Sequence, residues 1–228
     1  MKDCNWKVGD YVEYVPNQDK CVILARDSGH KEDQEFFPSK TRLWRVFRWG
    51  EEIELVAAKS GGKLTLCGFE GFQNSADILN YLSEAHVNRR YASCGRSLGS
   101  QSPMIPVNRG ITFPIDAQGI VQAGVPRRFD AGDVEQLNAY DLFPSKRGMV
   151  WLAANYRILN KGEEYCNCRC VRCENGDAVG VCLQYTHCGE YPKQFAQTKN
   201  VMPIVRLRPE VRLEEGMGTE KSPYKVVI

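Results

Sequence analysis

An alternation of apolar and polar side chains between Trp44 and Ala58 restricts the fold of this chain more than any other sequence feature. Trp44–Trp49 is aromatic and β-branched, Gly50-Glu51-Glu52 is typical of a turn, and Ile53–Ala58 resumes the alternation. Because successive side chains of a strand point to opposite faces, the pattern predicts a β-hairpin. Its inward positions are Ile53, Leu55 and Ala57, and its water-facing positions are Glu52 and Glu54.

Further strands are predicted on both sides of this hairpin. They cover 8–15, 64–66, 149–154, 165–171, 179–183 and 201–208. Pro209 predicts that the last of these is an edge strand or a terminus. The pair Asn175-Gly176 predicts a tight turn, because this dipeptide favours positive φ. Trp44, Trp49 and Trp151 all lie in strand-like runs, so we expect all three in the core.

A helix is predicted to start at Asn74 or Ser75, since either side chain can accept from exposed first-turn amides. Helical spacing then places one apolar stripe against the sheet, formed by Ile78, Leu79, Leu82, Ala85 and His86. A shorter helix is predicted over 130–140, and 95–129 is predicted as long, loop-rich insertions. Strands and helices segregate along the chain, which favours a single α+β domain, 1–228, with a mostly antiparallel sheet.

The charge pattern argues against nucleic-acid and membrane partners. The 228 residues include 30 basic and 28 acidic ones, with a net charge of +2 and no long run of one sign. A duplex-binding protein normally concentrates Lys and Arg in a stripe. The polar N-terminus and the lack of a long apolar run predict neither a signal peptide nor a membrane span.

Six of the ten cysteines fall between Cys166 and Cys188. On a strand, Cys166, Cys168 and Cys170 share one face, so we predict reduced thiols that fill a core position and no bound metal or other cofactor. A structural zinc ion is the first alternative. Its ligands are then Cys170, Cys173, Cys182 and Cys188. Disulfides across this hairpin are a second alternative if the protein meets an oxidising medium.

Catalytic patterns are sparse. The chain has three histidines, of which His86 lies on the predicted helix stripe and His30 in a polar loop. It has no nucleophile elbow, phosphate loop or His-Glu-x-x-His motif, so we predict no catalytic residues and no enzyme activity. The alternative is a thiol-dependent enzyme that uses Cys188 or Cys182 with His187.

Several motifs occur together in the order found in a domain of unknown function that is common in bacteria and their prophages. They are 8–14, 43–46, 53–56, 66–72, 79–80, 96–98, 151–153 and 203–207. The chain resembles that domain over most of its length. The resemblance implies a C-type-lectin-like fold with long, variable loops, and its members are often joined to surface or pilin-like proteins or encoded in phage structural regions. The sequence lacks the Glu-Pro-Asn, Gln-Pro-Asp and Trp-Asn-Asp triplets of calcium-dependent sugar binding.

Tyrosines among polar residues of the C-terminal half suit an interface, because their rings are amphipathic. With one arginine and one histidine they form the predicted recognition surface. It comprises Tyr156, Arg157, Tyr165, Tyr185, His187 and Tyr191. The alternative is that these are ordinary half-buried tyrosines.

The sequence thus predicts a non-enzymatic structural or adhesive binding module. The resemblance and the lack of an N-terminal anchor favour a phage virion component, made in the bacterial cytoplasm and decorating the particle or associated with its tail or fibre. Its expected partners are proteins of an assembly, further copies of the chain in a homo-oligomer, or a host-surface glycan or protein. A bacterial surface-recognition domain is the alternative binding function.

Overall fold

The computed structural model describes residues 6–50, 52–100, 111–113, 131–160, 163–186 and 192–228. Its helices are α1 (Ala25–Ser28), α2 (Gly68–Glu84) and α3 (Ala131–Ala139), with a 3-10 turn at Pro38–Lys40. Its strands are β1 (Tyr11–Glu13), β2 (Cys21–Ile23), β3 (Gln34–Phe36), β4 (Leu43–Trp49), β5 (Ile53–Ala57), β6 (Lys63–Cys67), β7 (Ala92–Ser97), β8 (Ile111–Phe113), β9 (Met149–Asn160), β10 (Glu163–Arg172), β11 (Ala178–Thr186), β12 (Lys193–Gln194), β13 (Ala196–Asn200), β14 (Pro203–Leu207), β15 (Arg212–Glu214) and β16 (Tyr224–Val227). The predicted α+β class is confirmed.

The strands form two large sheets and one small hairpin. The first sheet has the order β15-β16-β1-β4-β5-β14-β7, and the second has the order β12-β11-β10-β9-β13-β6 with β8 beside β9. Strands β2 and β3 pair separately. Parallel pairs occur at β1–β16, β9–β13 and β8–β9. The other strand pairs among the described residues are antiparallel, as the sequence predicts.

Three apolar clusters hold these layers together. The α2 cluster lies between α2 and one face of the second sheet, and includes Phe72, Leu79, Leu82, Trp151 and Cys168. The intersheet cluster lies between the two sheets, and includes Phe47, Val56, Val150, Leu152 and Ile204. The first-sheet cluster lies on the other face of the first sheet. It includes Val12, Trp44, Leu55, Val205 and Leu213.

The predicted hairpin forms as β4 and β5, in the register Trp44↔Ala57, with a bulge between Val46 and Arg48. Both of its faces are buried, because one contributes to the first-sheet cluster and the other to the intersheet cluster. The prediction that Glu54 faces water is therefore wrong: this residue is only 6% exposed. The prediction that Trp49 lies in the core is also wrong, since its side chain is 58% exposed at the tip of the hairpin.

Helix α2 begins six residues before the predicted start. Phe72 is fully buried one helical turn before Ala76, so the apolar stripe extends toward the N-terminus. Gly71 makes the early start sterically feasible, because a Cβ there would lie 2.6 Å from the carbonyl oxygen of Ser28. Asn74 and Ser75 are therefore not caps. Their side chains donate instead to the carbonyl oxygens of Asp27 and Phe72.

At one edge of each large sheet, side chains form hydrogen bonds with backbone groups that face no neighbouring strand. At the β6 edge, the Gln34 side-chain amide exchanges two hydrogen bonds with the backbone of Thr65, at 2.7 and 2.9 Å. At the β7 edge, Glu84 and Asn80 of α2 accept from the backbone of Gly95 and Ser97. These contacts hinder pairing of the two edges with a strand of another chain. No helix in the described ranges is long and apolar enough to cross a membrane.

The prediction that the strand before Pro209 is an edge or a terminus is wrong. Strand β14 lies inside the first sheet, with β5 on one side and β7 on the other. It ends at Leu207, so the proline follows the strand and removes no ladder hydrogen bond. Two more strands, β15 and β16, come after it and extend the opposite side of the same sheet.

Candidate functional site

Three aromatic rings lie in a row on the second sheet, and we call them the aromatic strip: Tyr165 on β10, Tyr185 on β11 and Phe195 after β12. Tyr165 and Tyr185 are directly opposite each other across the strands. Successive ring centroids are 5.7 and 5.6 Å apart, with planes inclined by 27° and 22°. Both tyrosines are half-buried, and Phe195 is 38% exposed.

The strip faces away from α2. Cys166, next to Tyr165 in the strand, is buried in the α2 cluster, and adjacent strand residues point to opposite faces. The aromatic strip therefore lies on the face of the second sheet that also carries the intersheet cluster, at the far end of β10 and β11 from that cluster, where its rings are partly exposed. Offset, nearly parallel packing of neighbouring rings also stabilises the strands that carry them.

A cation and an anion flank the rings. The Lys193 ammonium lies 5.1 Å from the centre of the Tyr185 ring. At the other end, the Tyr165 hydroxyl donates to the Glu163 carboxylate. That hydrogen bond and partial burial raise the pKa of Tyr165 to about 12, so the phenol stays neutral at physiological pH. The strip thus combines apolar faces with charged ends, a combination found at protein interfaces.

The structure does not bring all residues of the predicted recognition surface together. Tyr165 and Tyr185 come together in the aromatic strip, but Arg157 lies on the opposite face of the sheet, directly across from Cys166. Its guanidinium contacts the rings of Phe69 and Phe72 at 5.2 and 5.5 Å and pairs with Glu164 at 3.0 Å. Tyr156 lies on β9. His187 and Tyr191 lie outside the described residues.

Sequence reasoning missed Phe195 and Lys193. Their segment has neither a long strand pattern nor an aromatic cluster, because β12 contains only two residues. The one available signal was the position of this segment soon after β11 in the sequence, because a returning strand can lie beside Tyr185. Only the sheet order establishes that contact.

The cysteine stripe is confirmed as part of the core. Cys166, Cys168 and Cys170 are all buried in the α2 cluster. The eight cysteines in the described ranges are free thiols. Cys188, the fourth ligand of the alternative zinc site, lies outside those ranges, and within them no three His, Cys, Asp or Glu side chains are placed to hold a metal ion. Burial raises the pKa of the Cys182 thiol, which is opposite to the change an activated nucleophile requires.

The buried thiols are expected to resist alkylation in the folded protein. Cys168 is fully buried, and desolvation raises its pKa to about 12, so both access and thiolate formation are suppressed. In a timed iodoacetamide reaction followed by peptide mass spectrometry, the partly exposed Cys94 should react first and Cys168 only after denaturation. Equal rates for these two cysteines in the folded protein would contradict the buried assignment.

A network of buried charges joins β5, β7 and α3. The Arg96 guanidinium pairs with Glu54 at 2.9 and 2.7 Å and with Asp133 at 2.8 and 3.2 Å. The side chains of all three are less than a tenth exposed. Arg48 and Arg206, at the rim, add contacts of 2.9 Å to Asp133 and 3.2 Å to Glu54. We call these five residues the buried ion network.

The buried ion network fixes two points of the chain on either side of 101–130. Arg96 donates to the carbonyl oxygen of Ser100 at 3.1 Å, and the Gly99 amide donates to Asp133 at 2.8 Å. Asp133 belongs to the first turn of α3. The end of β7 and the start of α3 are therefore attached to one guanidinium. Among the described residues, the buried ion network therefore holds these secondary-structure elements in position.

His86 is a neutral, buried histidine at the end of α2. It is 1% exposed, and its ring packs edge-on against Trp44 with centroids 5.9 Å apart. Its Nδ1 is 2.7 Å from the carbonyl oxygen of Leu82, so this nitrogen carries the proton, and Nε2 is an acceptor without a hydrogen-bond partner among the described residues. Burial lowers the pKa of His86 to about 4.

This low pKa predicts acid sensitivity. Because the folded-state pKa lies below the ordinary value of 6.5, the unfolded chain takes up the proton first, and stability falls as pH decreases from 6.5 toward 4. At about 1.4 kcal/mol per pKa unit, the loss reaches roughly 3 kcal/mol. Urea titrations at several pH values should show this loss in the wild type and a smaller one in His86→Phe. Identical pH profiles for the two proteins would contradict it.

Comparisons of the sequence with protein-family models and curated proteins, and of the structure with solved structures, find no match.

Proposed function

We propose that this protein is a non-enzymatic structural or adhesive module of a phage particle, and that it contacts a protein of that particle through the aromatic strip. The observation that carries the proposal is the row of partly exposed rings of Tyr165, Tyr185 and Phe195 on the face of the second sheet that points away from α2. Aromatic side chains are enriched at protein interfaces, and buried tyrosines are frequent hot spots.

The scaffold around the strip also supports a binding role. Side chains bind backbone groups at one edge of each sheet, which hinders pairing of those two edges with other strands. The strip lies on long paired strands, β10 and β11, which hold its two tyrosines in fixed positions. A rigid aromatic surface loses little side-chain entropy when it binds.

The placement in a virion and the C-type-lectin-like fold rest on the sequence resemblance. Both belong to the proposal, and the α+β class of the structure is compatible with that fold. Glycan recognition is the alternative use of the same rings, because a sugar ring can also pack on an aromatic face. The experiment below therefore includes an arm for each kind of partner.

The test compares two variants of the tagged protein expressed in cells that produce the phage. Tyr185→Ser/Phe195→Ser removes two rings of the strip, while Trp49→Ser removes a more exposed ring from a different surface. We expect the wild type and Trp49→Ser to sediment with intact particles and the double variant to remain free. Loss of two hot-spot rings, at about 2 kcal/mol each, weakens binding by several hundredfold or more.

Two controls make the result interpretable. Circular dichroism and thermal unfolding establish that the double variant is folded. Binding to purified cell-wall polysaccharide is measured in parallel: saturable binding that the double variant loses would replace the particle role with glycan recognition. Equal sedimentation of the double variant and the wild type would refute the assignment of the strip.

A further inference from the structure

We infer that Asn175 is a site of spontaneous deamidation and that the native β10–β11 turn controls its rate. The sequence singles out Asn175-Gly176 as a turn, and the proposed function makes no use of it. Asn175 is exposed, while Gly176 is buried beneath it. The turn lies at the opposite end of the hairpin from the aromatic strip, so this inference is independent of the proposed interface.

The chemistry uses only the chain and water. The backbone nitrogen of Gly176 attacks Cγ of Asn175 and loses its proton, a new N–C bond forms, and the side-chain amide leaves as ammonia. Water then opens the cyclic imide at one of its two carbonyls. The products are aspartate, or isoaspartate with one additional backbone carbon. Each carries one more negative charge than asparagine.

The fold favours glycine at position 176, the residue that makes this asparagine reactive. Gly176 has φ +70°, and a Cβ there would lie 1.8 Å from Oδ1 of Asn138 on α3. The positive φ disfavours any residue with a side chain, and the Asn138 side chain would have to move to admit one. The attacking nitrogen consequently belongs to glycine, whose lack of a side chain leaves the approach to Cγ unhindered.

The same turn restrains the reacting atoms. The Gly176 amide donates to the carbonyl oxygen of Arg172 at 2.8 Å. The Asn175 side chain is bound to Asp177 at both ends: Nδ2 donates to Oδ2 at 2.7 Å, and Oδ1 accepts from the Asp177 amide at 3.1 Å. Attack requires these contacts to open. An opening free energy of ~1–2 kcal/mol slows the reaction by about 5–30-fold relative to the unfolded chain.

Deamidation also damages the turn that it modifies. A carboxylate at position 175 has no N–H to donate to Asp177 and repels it instead. Isoaspartate lengthens the backbone between β10 and β11 and displaces Gly176 from its contact with Asn138. The modified protein is expected to unfold at a lower temperature than the unmodified one.

The experiment follows the peptide that contains 175–176 by mass spectrometry at mildly alkaline pH in three samples. They are the folded wild type, the folded variant Asp177→Ala, and the wild type in urea. We expect the urea sample to react fastest, Asp177→Ala several times faster than the folded wild type, and the folded wild type slowest. Asn88, which precedes an arginine, is the internal control.

Two results would overturn the inference. If the folded wild type reacts as fast as the urea sample, the native turn does not control the rate. If the urea sample does not react, Asn175 is not a deamidation site. Thermal unfolding of Asp177→Ala shows whether its faster reaction comes from a released side chain or from general unfolding, and only the first result supports the role of Asp177.

Discussion

Replacing Arg96 with methionine is expected to lower the free energy of unfolding by about 3–5 kcal/mol, because it leaves two buried carboxylates without their main partner. Glu54 and Asp133 are both less than a tenth exposed and together receive four hydrogen bonds from this guanidinium. Urea unfolding followed by tryptophan fluorescence measures the loss. Arg48 and Arg206 remain, but their side chains are 40% and 34% exposed and so compensate only partly.

The matched control for Arg96→Met is Lys20→Met. Lys20 pairs with Glu35 at 2.7 Å, but the two side chains are 48% and 51% exposed. An exposed ion pair contributes at most about 1 kcal/mol, so this variant should keep nearly wild-type stability. Similar losses in the two variants would show that the buried ion network has no special role. If Arg96→Met does not fold, the double variant Arg96→Met/Glu54→Gln provides the measurement, since it removes both members of one pair.

The Arg96 effect should depend on pH in a defined direction. Burial alone would raise the pKa of Glu54, but hydrogen bonds and charge from Arg96 and Arg206 outweigh it and lower that pKa. A carboxylate with a lowered folded-state pKa contributes stability above its unfolded-state pKa of about 4.5 and loses it as pH falls through the folded value. In Arg96→Met, burial without this partner raises the pKa of Glu54, so the carboxyl of the variant is protonated first. The difference in stability between the two proteins should therefore decrease as pH falls from neutral toward the folded-state pKa of Glu54 in the wild type.

Replacing Trp151 with alanine is expected to lower the free energy of unfolding by about 3–5 kcal/mol, as for other large aromatic residues in a core. Trp151 is fully buried in the α2 cluster, and its Nε1 donates to the carbonyl oxygen of Leu64 at 2.9 Å. The substitution removes the ring and leaves that carbonyl without its donor. The loss of fit between α2 and the second sheet adds a cavity term to the lost burial.

Trp49→Ala is the companion measurement, because Trp49 occupies the same kind of strand pattern but is 58% exposed. Its edge contact with Trp6, at a centroid distance of 5.7 Å, limits the expected loss to about 1 kcal/mol. Trp151→Phe, which retains a ring but not the hydrogen bond, should fall between the two. Equal destabilisation by Trp49→Ala and Trp151→Ala would contradict the burial described here.

The positions of several strands along the chain could be predicted from the sequence, because the two-residue period of a strand was the dominant pattern. The strand-like residue patterns located β4, β5, β10 and β11. The pair Asn175-Gly176 marked the turn between β10 and β11. The cysteine stripe followed directly from the geometry of a strand, since every second side chain shares a face. These predictions concern neighbours along the chain, and local backbone geometry is enough to make them.

Only part of the candidate site could be predicted from the sequence. Tyr165 and Tyr185 were identified from their polar neighbours, but Phe195 joins them through pairing between β11 and a two-residue strand. Arg157 was assigned to the same surface and lies on the other face. The pairing of β9 with β10 sets Arg157 opposite Cys166 on the α2 face, and the residue pattern alone does not record that pairing.

The sequence by itself determined the α+β class, the hairpin at 44–58 and the inward face of the three cysteines, because side-chain periodicity expresses local backbone geometry. The tertiary structure alone decided the positions of Glu54 and Trp49. A glutamate between apolar residues is ordinarily exposed, and here it is buried because Arg96 and Asp133 arrive from β7 and α3. Trp49 pairs with Ile53 at the tip of the hairpin, at the edge of the first-sheet cluster, and its ring is exposed there. Burial depends on which surfaces meet, and those contacts link residues that are far apart in the chain.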